Sequence, residues 1–222
     1  MRLTVGTIIG IVGICVLMGR GQALRCWQCS SYNDTNCNGK ITECPASLGA
    51  CATTLIRNRG LRWTSYFQIK SCVNMSECFS HGRVTGLYEE KSFNTSCCFS
   101  DNCNTYVPAL PVVNLTLNGL LCPSYVATRM EPCDFKNVSA CTGDQDRCVR
   151  YSSTTTIGSS KSSLFFGGCA SESVCVTEKS FVSADDVSFE MKRTCYNSAS
   201  RLAYGMPVIF LILKALIGSY IS

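Results

Sequence analysis

The hydrophobic and polar positions of this chain alternate in short runs that predict β-strands. Residues 52–57 and 64–70 are rich in β-branched and aromatic side chains, and residues 58–60 between them, Asn-Arg-Gly, have the composition of a turn. Residues 147–155 and 163–166 repeat this order around a Gly-Ser turn. We therefore expect two β-hairpins, one in each half of the chain.

The hydrophobic pattern predicts no helix between the two apolar ends of the chain. No stretch there has apolar residues at a convincing helical spacing. Residues 151–163 are dominated by Ser and Thr, and we expect them to form a flexible polar fingertip. The pattern predicts an all-β protein made of short strands and turns.

The amino-terminal end has the pattern of a secretory signal peptide. Arg2 precedes an apolar run over residues 3–18, which is shorter than the roughly 20 residues that span a bilayer. Small residues at Gly21 and Ala23 fit a signal-peptidase site. We expect residues 1–23 to be removed, so that the mature chain begins at Leu24.

The carboxyl-terminal end has the pattern of a GPI-attachment signal. Small residues after Asn197 are followed by a short polar spacer and by an apolar tail over residues 206–221. We expect attachment at Asn197 and removal of residues 198–222. A membrane-spanning helix is an alternative, but Lys214 at mid-run would cost about 2.5 to 3.5 kcal/mol at its centre. A secreted form is the third reading.

The cysteine content and the net charge of the chain exclude some classes of function. The chain has 18 Cys among 222 residues, a density typical of disulfide scaffolds made in an oxidising compartment. The formal charge of +5 includes Arg2, Arg20, Arg201 and Lys214 in the two expected signals, which leaves 16 basic against 15 acidic residues. These numbers argue against a cytosolic enzyme and against nucleic-acid binding.

Cysteine spacing divides the mature chain into two modules. Ten Cys lie in residues 24–104 and seven in residues 112–197, separated by a Cys-free stretch that contains two Pro residues, with the linker placed at residues 105–111. Most intervals correspond, since six residues separate Cys44 from Cys51 and also Cys141 from Cys148. The chain therefore contains an internal repeat of one small module. Small modules of this size depend on disulfides for stability.

Candidate catalytic groups are scarce. The single His of the chain, His81, stands between Ser80 and Gly82, as expected for a solvated surface residue. The Cys26 and Cys29 pair resembles a thiol-redox motif only in spacing, because such a motif needs a low-pKa thiolate at a helix N-terminus. Paired sulfurs also leave no thiolates for a metal. We expect neither enzymatic activity nor a cofactor.

Surface modification and partner binding have clearer candidates. The tip of the first hairpin collects Arg57, Arg59, Arg62 and Trp63 within seven residues, and Arg and Trp dominate interface energetics, so we expect an extracellular protein ligand to bind there. The alternative is a solvated basic turn with Trp63 folded back beside Tyr66. Five Asn-x-Ser/Thr sequons predict N-glycans on surface loops, at Asn33, Asn74, Asn94, Asn114 and Asn137.

The cysteine motifs resemble a known family. LRCWQC at residues 24–29 and CCFSDNCN at residues 97–104 are similar to the opening and closing signatures of the lymphocyte-antigen-six/urokinase-receptor (LU) three-finger family. The resemblance implies two tandem three-finger domains, with residues 52–71 as the central finger of the first. It also implies a set of pairings that spacing alone leaves open. These are Cys26–Cys51, Cys29–Cys37, Cys44–Cys72, Cys78–Cys97 and Cys98–Cys103.

The second module departs from the family pattern. Tyr125 stands where the family has its second Cys, and nothing after Cys195 matches the closing motif, which resembles the shortened module of gamma-type phospholipase A2 inhibitors. Carried across, the pairings are Cys122–Cys148, Cys141–Cys169 and Cys175–Cys195. Cys133 is left unpaired. It is an inert free thiol, a bridge to a second copy in a covalent dimer, or a member of another pairing.

The sequence thus favours a GPI-anchored glycoprotein on the extracellular face of the plasma membrane. It would act as a non-enzymatic protein-binding receptor or adhesion module, tied to the membrane through its lipid. The alternative is a secreted inhibitor of an extracellular phospholipase. The apolar tail discriminates between them, because a soluble inhibitor has no use for it.

Overall fold

The computed structural model describes residues 23–34, 36–127 and 137–197. Nearly all of the expected signal peptide, Cys133 and the expected propeptide at residues 198–222 lie outside the described residues. Within the described ranges, no helix combines the length and the apolar character needed to cross a membrane.

Thirteen strands and two short 3-10 helices make up the described fold, so the all-β prediction is confirmed. The 3-10 helices lie at Met75–Phe79 and Glu172–Cys175. The strands of the first module are β1 (Arg25–Tyr32), β2 (Lys40–Glu43), β3 (Ala50–Gly60), β4 (Thr64–Val73), β5 (His81–Thr85) and β6 (Glu89–Cys98). Those of the second are β7 (Leu117–Pro123), β8 (Tyr125–Ala127), β9 (Val138–Thr142), β10 (Arg147–Ile157), β11 (Ser160–Ala170), β12 (Lys179–Ala184) and β13 (Val187–Tyr196).

Eight disulfides hold the two modules, and they are the same pairs that the family resemblance implies. Five lie in the first module: Cys26–Cys51, Cys29–Cys37, Cys44–Cys72, Cys78–Cys97 and Cys98–Cys103. Three lie in the second: Cys122–Cys148, Cys141–Cys169 and Cys175–Cys195. No bridge among these joins one module to the other, so other contacts must connect the modules.

One sheet runs through both modules. Its strand order is β12-β13-β10-β11-β5-β6-β3-β4-β1-β2, and β8 pairs with β11 outside this path. The modules meet where β5 pairs antiparallel with β11, through Val84 opposite Ala170 and Thr85 opposite Cys169. Strands β7 and β9 form a separate two-stranded sheet. The continuity of the large sheet is not evident from the sequence, because the cysteine pattern describes each module by itself.

The main hydrophobic core lies between the modules. Phe67, Val84 and Phe93 of the first module pack in one buried cluster with residues of the second, including Phe166 and Val182. Strand β12 also lies against β4, and the ring centroids of Phe67 on β4 and Phe189 on β13 are 4.4 Å apart. The two modules thus share a core, in addition to the disulfide clusters that each contains.

The turn of the first hairpin lies later than the sequence predicts. Strand β3 continues to Gly60, so Asn58 and Arg59 belong to the strand and the turn falls on residues 61–63. The physical reason is pairing on both sides, since Arg59 lies opposite Thr64 of β4 and opposite Glu90 of β6.

The prediction of a flexible fingertip over residues 151–163 is wrong. The segment consists of the ends of β10 and β11 around a turn at Gly158, which has a φ of 57°. Thr154 Oγ1 and Ser163 Oγ are hydrogen-bonded at 3.0 Å across the hairpin. β13 pairs with the other edge of β10 along its whole length. Because Thr is β-branched and β10 is paired on both of its edges, the polar run forms regular strands.

The segment between the modules, residues 104–114, runs across one face of the first-module sheet. Its carbonyl oxygens accept hydrogen bonds from side chains of three strands. Thr105 O accepts from Lys70 Nζ of β4 at 3.4 Å, and Ala109 O accepts from Asn94 Nδ2 of β6 at 2.7 Å. Asn114 O accepts from Arg83 Nη1 at 3.3 Å. The expected linker is therefore docked on the sheet, and burial lowers the pKa of Lys70 beneath it.

Candidate protein-binding site

The tip of the β3–β4 hairpin is an exposed mixture of apolar and cationic side chains. Leu61 is 80% exposed and Trp63 is 49% exposed, with exposed Arg62 between them. The hydrogen bond from Gly60 N to Trp63 O, at 2.9 Å, closes the turn. Flanking strand pairing on both sides holds the base of this hairpin in place, so the tip projects from a fixed support.

Gly60 determines the position of the Trp63 ring. A Cβ atom at residue 60 would lie 2.3 Å from Trp63 Nε1, so only glycine leaves room for the ring there. The ring therefore folds back over its own finger and still leaves about half of its surface in solvent. The folded-back ring agrees with the alternative interpretation of this turn, and its exposed half is the surface available to a partner.

The structure does not bring all four predicted partner-binding residues together. Arg59, Arg62 and Trp63 lie at or beside the tip, whereas Arg57 lies further down β3. Arg57 Nη2 forms an ion pair with Glu90 Oε1 at 2.9 Å and also donates to Ser92 Oγ at 3.1 Å. Arg57 is thus occupied within the first module, on the side of β3 that faces β6.

Leu61 is the tip residue that the sequence interpretation missed. It lies between the predicted residues and is more exposed than Trp63. The available signal was a Leu in a turn, where no core is within reach of its side chain. Together Leu61, Arg62 and Trp63 form a continuous exposed surface, which we call the finger-tip surface.

Buried charged groups lie elsewhere, between the modules. Burial lowers the pKa of Lys91 and of Arg193, whose guanidinium carbon lies 5.6 Å from the centre of the Phe93 ring. Burial raises the pKa of Glu77 and raises that of Tyr151 to about 12. Glu77, Tyr151 and Arg193 are buried, and Lys91 is half-buried.

The closing motif of the first module has a clear structural role. The side chain of Asn104 is fully buried; its Oδ1 accepts from Trp27 N, and its Nδ2 donates to Trp27 O and Ala52 O, each at 3.0 Å. It therefore fastens the end of the module to β1 and β3. The nearby sulfur atoms of Cys26, Cys44 and Cys51 are close enough for a metal site, but all three are in disulfides and offer no thiolate.

The predicted modification sites differ in environment. Asn114, Asn137 and Asn197 are exposed, and Asn33 is exposed in a left-handed turn with a φ of 60°. Three of the sequon asparagines have side chains engaged in hydrogen bonds: Asn74 Oδ1 accepts from Ser76 N at 3.2 Å, Asn114 Oδ1 accepts from Thr116 N at 2.9 Å, and Asn94 Nδ2 donates to the segment between the modules.

Comparison with known proteins places these features in a family. A sequence model of the u-PAR/Ly-6 domain matches residues 22–106. Ly-6/neurotoxin-like protein 1 of Macaca mulatta is 37% identical over 107 residues, which cover 45% of this chain and 83% of that protein. A gamma-type phospholipase A2 inhibitor of Elaphe climacophora is 29% identical over 178 residues, covering 75% of this chain and 86% of the inhibitor.

A solved structure gives a weaker likeness. The crystal structure of mouse TEX101 aligns over 77% of this chain and 96% of its own, with 15% sequence identity and a TM-score of 0.34. That score is too low to add to the assignment.

Proposed function

We propose, because this chain belongs to the u-PAR/Ly-6 family, that it is a cell-surface glycoprotein acting as a non-enzymatic protein-binding receptor or adhesion module. Members of this family are extracellular or cell-surface proteins. The disulfide content of the chain agrees with such a location. The proposal includes a GPI lipid at or near Asn197 as the link to the membrane.

The observation that carries the proposal is the finger-tip surface. It combines an aliphatic, a cationic and an aromatic side chain on a tip whose base is fixed by strand pairing on both sides. Arg and Trp are the residue types most enriched at binding hot spots. We propose that an extracellular protein with an apolar pocket and a nearby acidic group binds here.

The test compares two hairpin tips of the same molecule. Leu61→Ala, Arg62→Ala and Trp63→Ala would be measured against a partner purified with the wild-type ectodomain. Ile157→Ala and Lys161→Ala at the tip of the β10–β11 hairpin serve as matched controls, because both residues are exposed at an equivalent position. We expect Trp63→Ala to weaken binding by about 2 kcal/mol or more and the controls to leave it unchanged. Equal affinity in all five variants would move the site to another surface.

The membrane link has its own test. A phosphatidylinositol-specific phospholipase should release the protein from intact cells, together with a known GPI-anchored control protein. If the control is released and this protein stays on the cells, the proposal of a lipid anchor is wrong and the apolar carboxyl-terminal segment spans the membrane.

A second candidate function is a secreted inhibitor of an extracellular phospholipase. The observation that favours it is the similarity to the gamma-type inhibitors, which extends across both modules of this chain. The purified ectodomain would be titrated against secreted phospholipase A2. Stoichiometric inhibition, together with the protein appearing in the medium without lipase treatment, would favour the inhibitor over the anchored receptor.

A further inference from the structure

The small β7–β9 sheet is apolar on both faces. On the inner face, Leu120, Cys122 and Cys141 pack in the disulfide cluster of the second module. On the opposite face, Leu117 is 67% exposed, Leu121 is 58% exposed and Val138 is 54% exposed. The strand register pairs Leu121 with Ala140 and Pro123 with Val138 on one side, and exposed Leu117 lies beyond a register shift, opposite Thr142. We call Leu117, Leu121, Pro123, Val138 and Ala140 the outer face.

The outer face lacks the charged residues that often cover an exposed sheet. Residues 102–128 contain no Asp, Glu, Lys or Arg, and residues 137–143 contain none either. A two-stranded antiparallel sheet usually packs one face on the core and presents polar side chains on the other. Contiguous exposed apolar patches mark surfaces that something else covers. The outer face is therefore a candidate for a covered surface.

Two sequons bracket this face from opposite ends. Because β7 and β9 are antiparallel, the start of each strand lies at the end of the other. Asn114 precedes β7, next to the place where Gly143 N donates to Thr116 O at 2.8 Å. Asn137 directly precedes β9, where its carbonyl oxygen accepts from Ser124 N at 2.9 Å. Both asparagines are exposed.

We propose that N-glycans on Asn114 and Asn137 fold over the outer face and cover it. Sugar rings present C–H groups on one side and hydroxyl groups on the other, so they cover apolar side chains while remaining hydrated. The seven-residue strand β7 spans about 23 Å, and a glycan from each end has to cover about half of that. The same two glycans would keep a flat partner, such as a second copy or a bilayer, away from the sheet. This inference rests on the extracellular, glycosylated state in the proposed function.

The experiment removes the two sequons and leaves the strands intact. The double variant Thr116→Ala, Asn137→Gln keeps the Asn114 side chain, whose Oδ1 accepts from Thr116 N at 2.9 Å. Asn33→Asp is the control, because it removes a sequon of the first module and Asp tolerates the left-handed φ. The proteins would be made in mammalian cells, and glycan occupancy at each site would be mapped by mass spectrometry first. The readouts are fluorescence of a hydrophobic dye and sedimentation velocity.

We expect both Asn114 and Asn137 to carry glycans in the wild-type protein. In the double variant we expect dye fluorescence to rise several-fold and the protein to self-associate as its concentration increases. Adding Leu117→Thr, Leu121→Thr and Val138→Thr should abolish both effects, while the control behaves like wild type.

Three results would overturn the proposal. If Asn114 and Asn137 were unmodified while other sequons carried glycans, this inference would fail and the proposed extracellular glycoprotein would stand. Unchanged dye binding and association in the double variant would have the same consequence. A glycosylated wild-type protein that dimerises through the outer face, or that binds phosphatidylcholine vesicles through it, would identify a second copy or a bilayer as the occupant.

Discussion

At the scale of single residues, Arg83 is the side chain that most directly connects the modules. It lies on β5 and is 1% exposed. Its guanidinium donates to Thr142 O at 3.2 Å, Thr142 Oγ1 at 2.6 Å and Gln145 Oε1 at 2.8 Å, besides Asn114 O. Gln145 in turn donates to Thr85 Oγ1 at 2.9 Å, so the network returns to the first module.

Replacing Arg83 should therefore destabilise the whole protein. Arg83→Met keeps much of the apolar stem but removes the four hydrogen bonds that the buried guanidinium donates to Asn114, Thr142 and Gln145. We expect the free energy of unfolding to fall by about 3 kcal/mol or more, measured in guanidinium chloride with the disulfides intact. Arg59→Met, at an exposed position of β3, should change it by less than about 0.5 kcal/mol. Equal stability of the two variants would mean that the network contributes nothing measurable.

Glu77 should give the protein a specific dependence on pH. Burial raises the pKa of its carboxyl group, although Phe181 N donates to Oε1 at 3.4 Å and Arg193 opposes the shift. A carboxyl group with a raised folded-state pKa contributes stability below its unfolded pKa of about 4.3, and this contribution is lost as the pH rises through the folded value.

Glu77→Gln removes this titration and keeps an acceptor for Phe181 N. The stability of Glu77→Gln relative to wild type should increase between about pH 4 and pH 7, as followed by denaturant titrations at several pH values. Exposed Glu43→Gln is the control. Parallel pH profiles for Glu77→Gln and wild type would contradict the expected shift.

At the scale of elements, the β5–β11 contact depends on one glycine. A Cβ atom on Gly168 would lie 2.0 Å from Thr85 O and 3.0 Å from Gly86 Cα, and both of these are backbone atoms. The two strands approach closely enough to pair only because residue 168 has no side chain.

Gly168→Ala should push these strands apart. We expect a loss of about 1 to 3 kcal/mol or more in unfolding free energy and faster amide hydrogen exchange in residues 81–86 and 165–170. Gly49→Ala is the matched control, since its Cβ would meet only the Met75 side chain at 3.7 Å. Slow exchange at the junction in Gly168→Ala would show that the sheet accommodates the methyl group.

Local elements could be predicted from the sequence, and contacts between distant segments could not. The two long hairpins follow from strand composition, and their extent was underestimated where Ser and Thr dominate. Pairing of β10 with both β11 and β13 overrides the loop-like composition of residues 154–157, and pairing with β10 does so for residues 160–163. The ion pair between Arg57 and Glu90 joins positions 33 residues apart, and local sequence patterns do not predict contacts at that separation. No disulfide joins β5 to β11, so the cysteine pattern does not indicate that these strands pair. The segment at residues 104–114 docks through its backbone oxygens, and because every residue has such an oxygen, the sequence does not indicate this contact.

At the scale of the whole molecule, the shared core predicts that the two modules unfold together. Phe67, Val84 and Phe93 would be exposed if the second module moved away. Differential scanning calorimetry of the oxidised wild-type protein should give a single transition whose calorimetric and van't Hoff enthalpies agree. Gly168→Ala, which weakens the junction, is the variant expected to broaden or split it. Two separate transitions in the wild-type protein would mean that each module is stable alone.

The pairing of β5 with β11 also has a consequence for biosynthesis. Val84 can pair with Ala170 only after Ala170 has been translated, 86 positions later. At 5 to 20 residues per second this interval lasts about 4 to 17 s. By then all ten cysteines of the first module are available for oxidation, while the apolar face that carries Phe67 and Phe93 has no second module to cover it. We therefore expect the nascent first module to be crosslinked but open, with Phe67 and Phe93 uncovered, until β11 emerges.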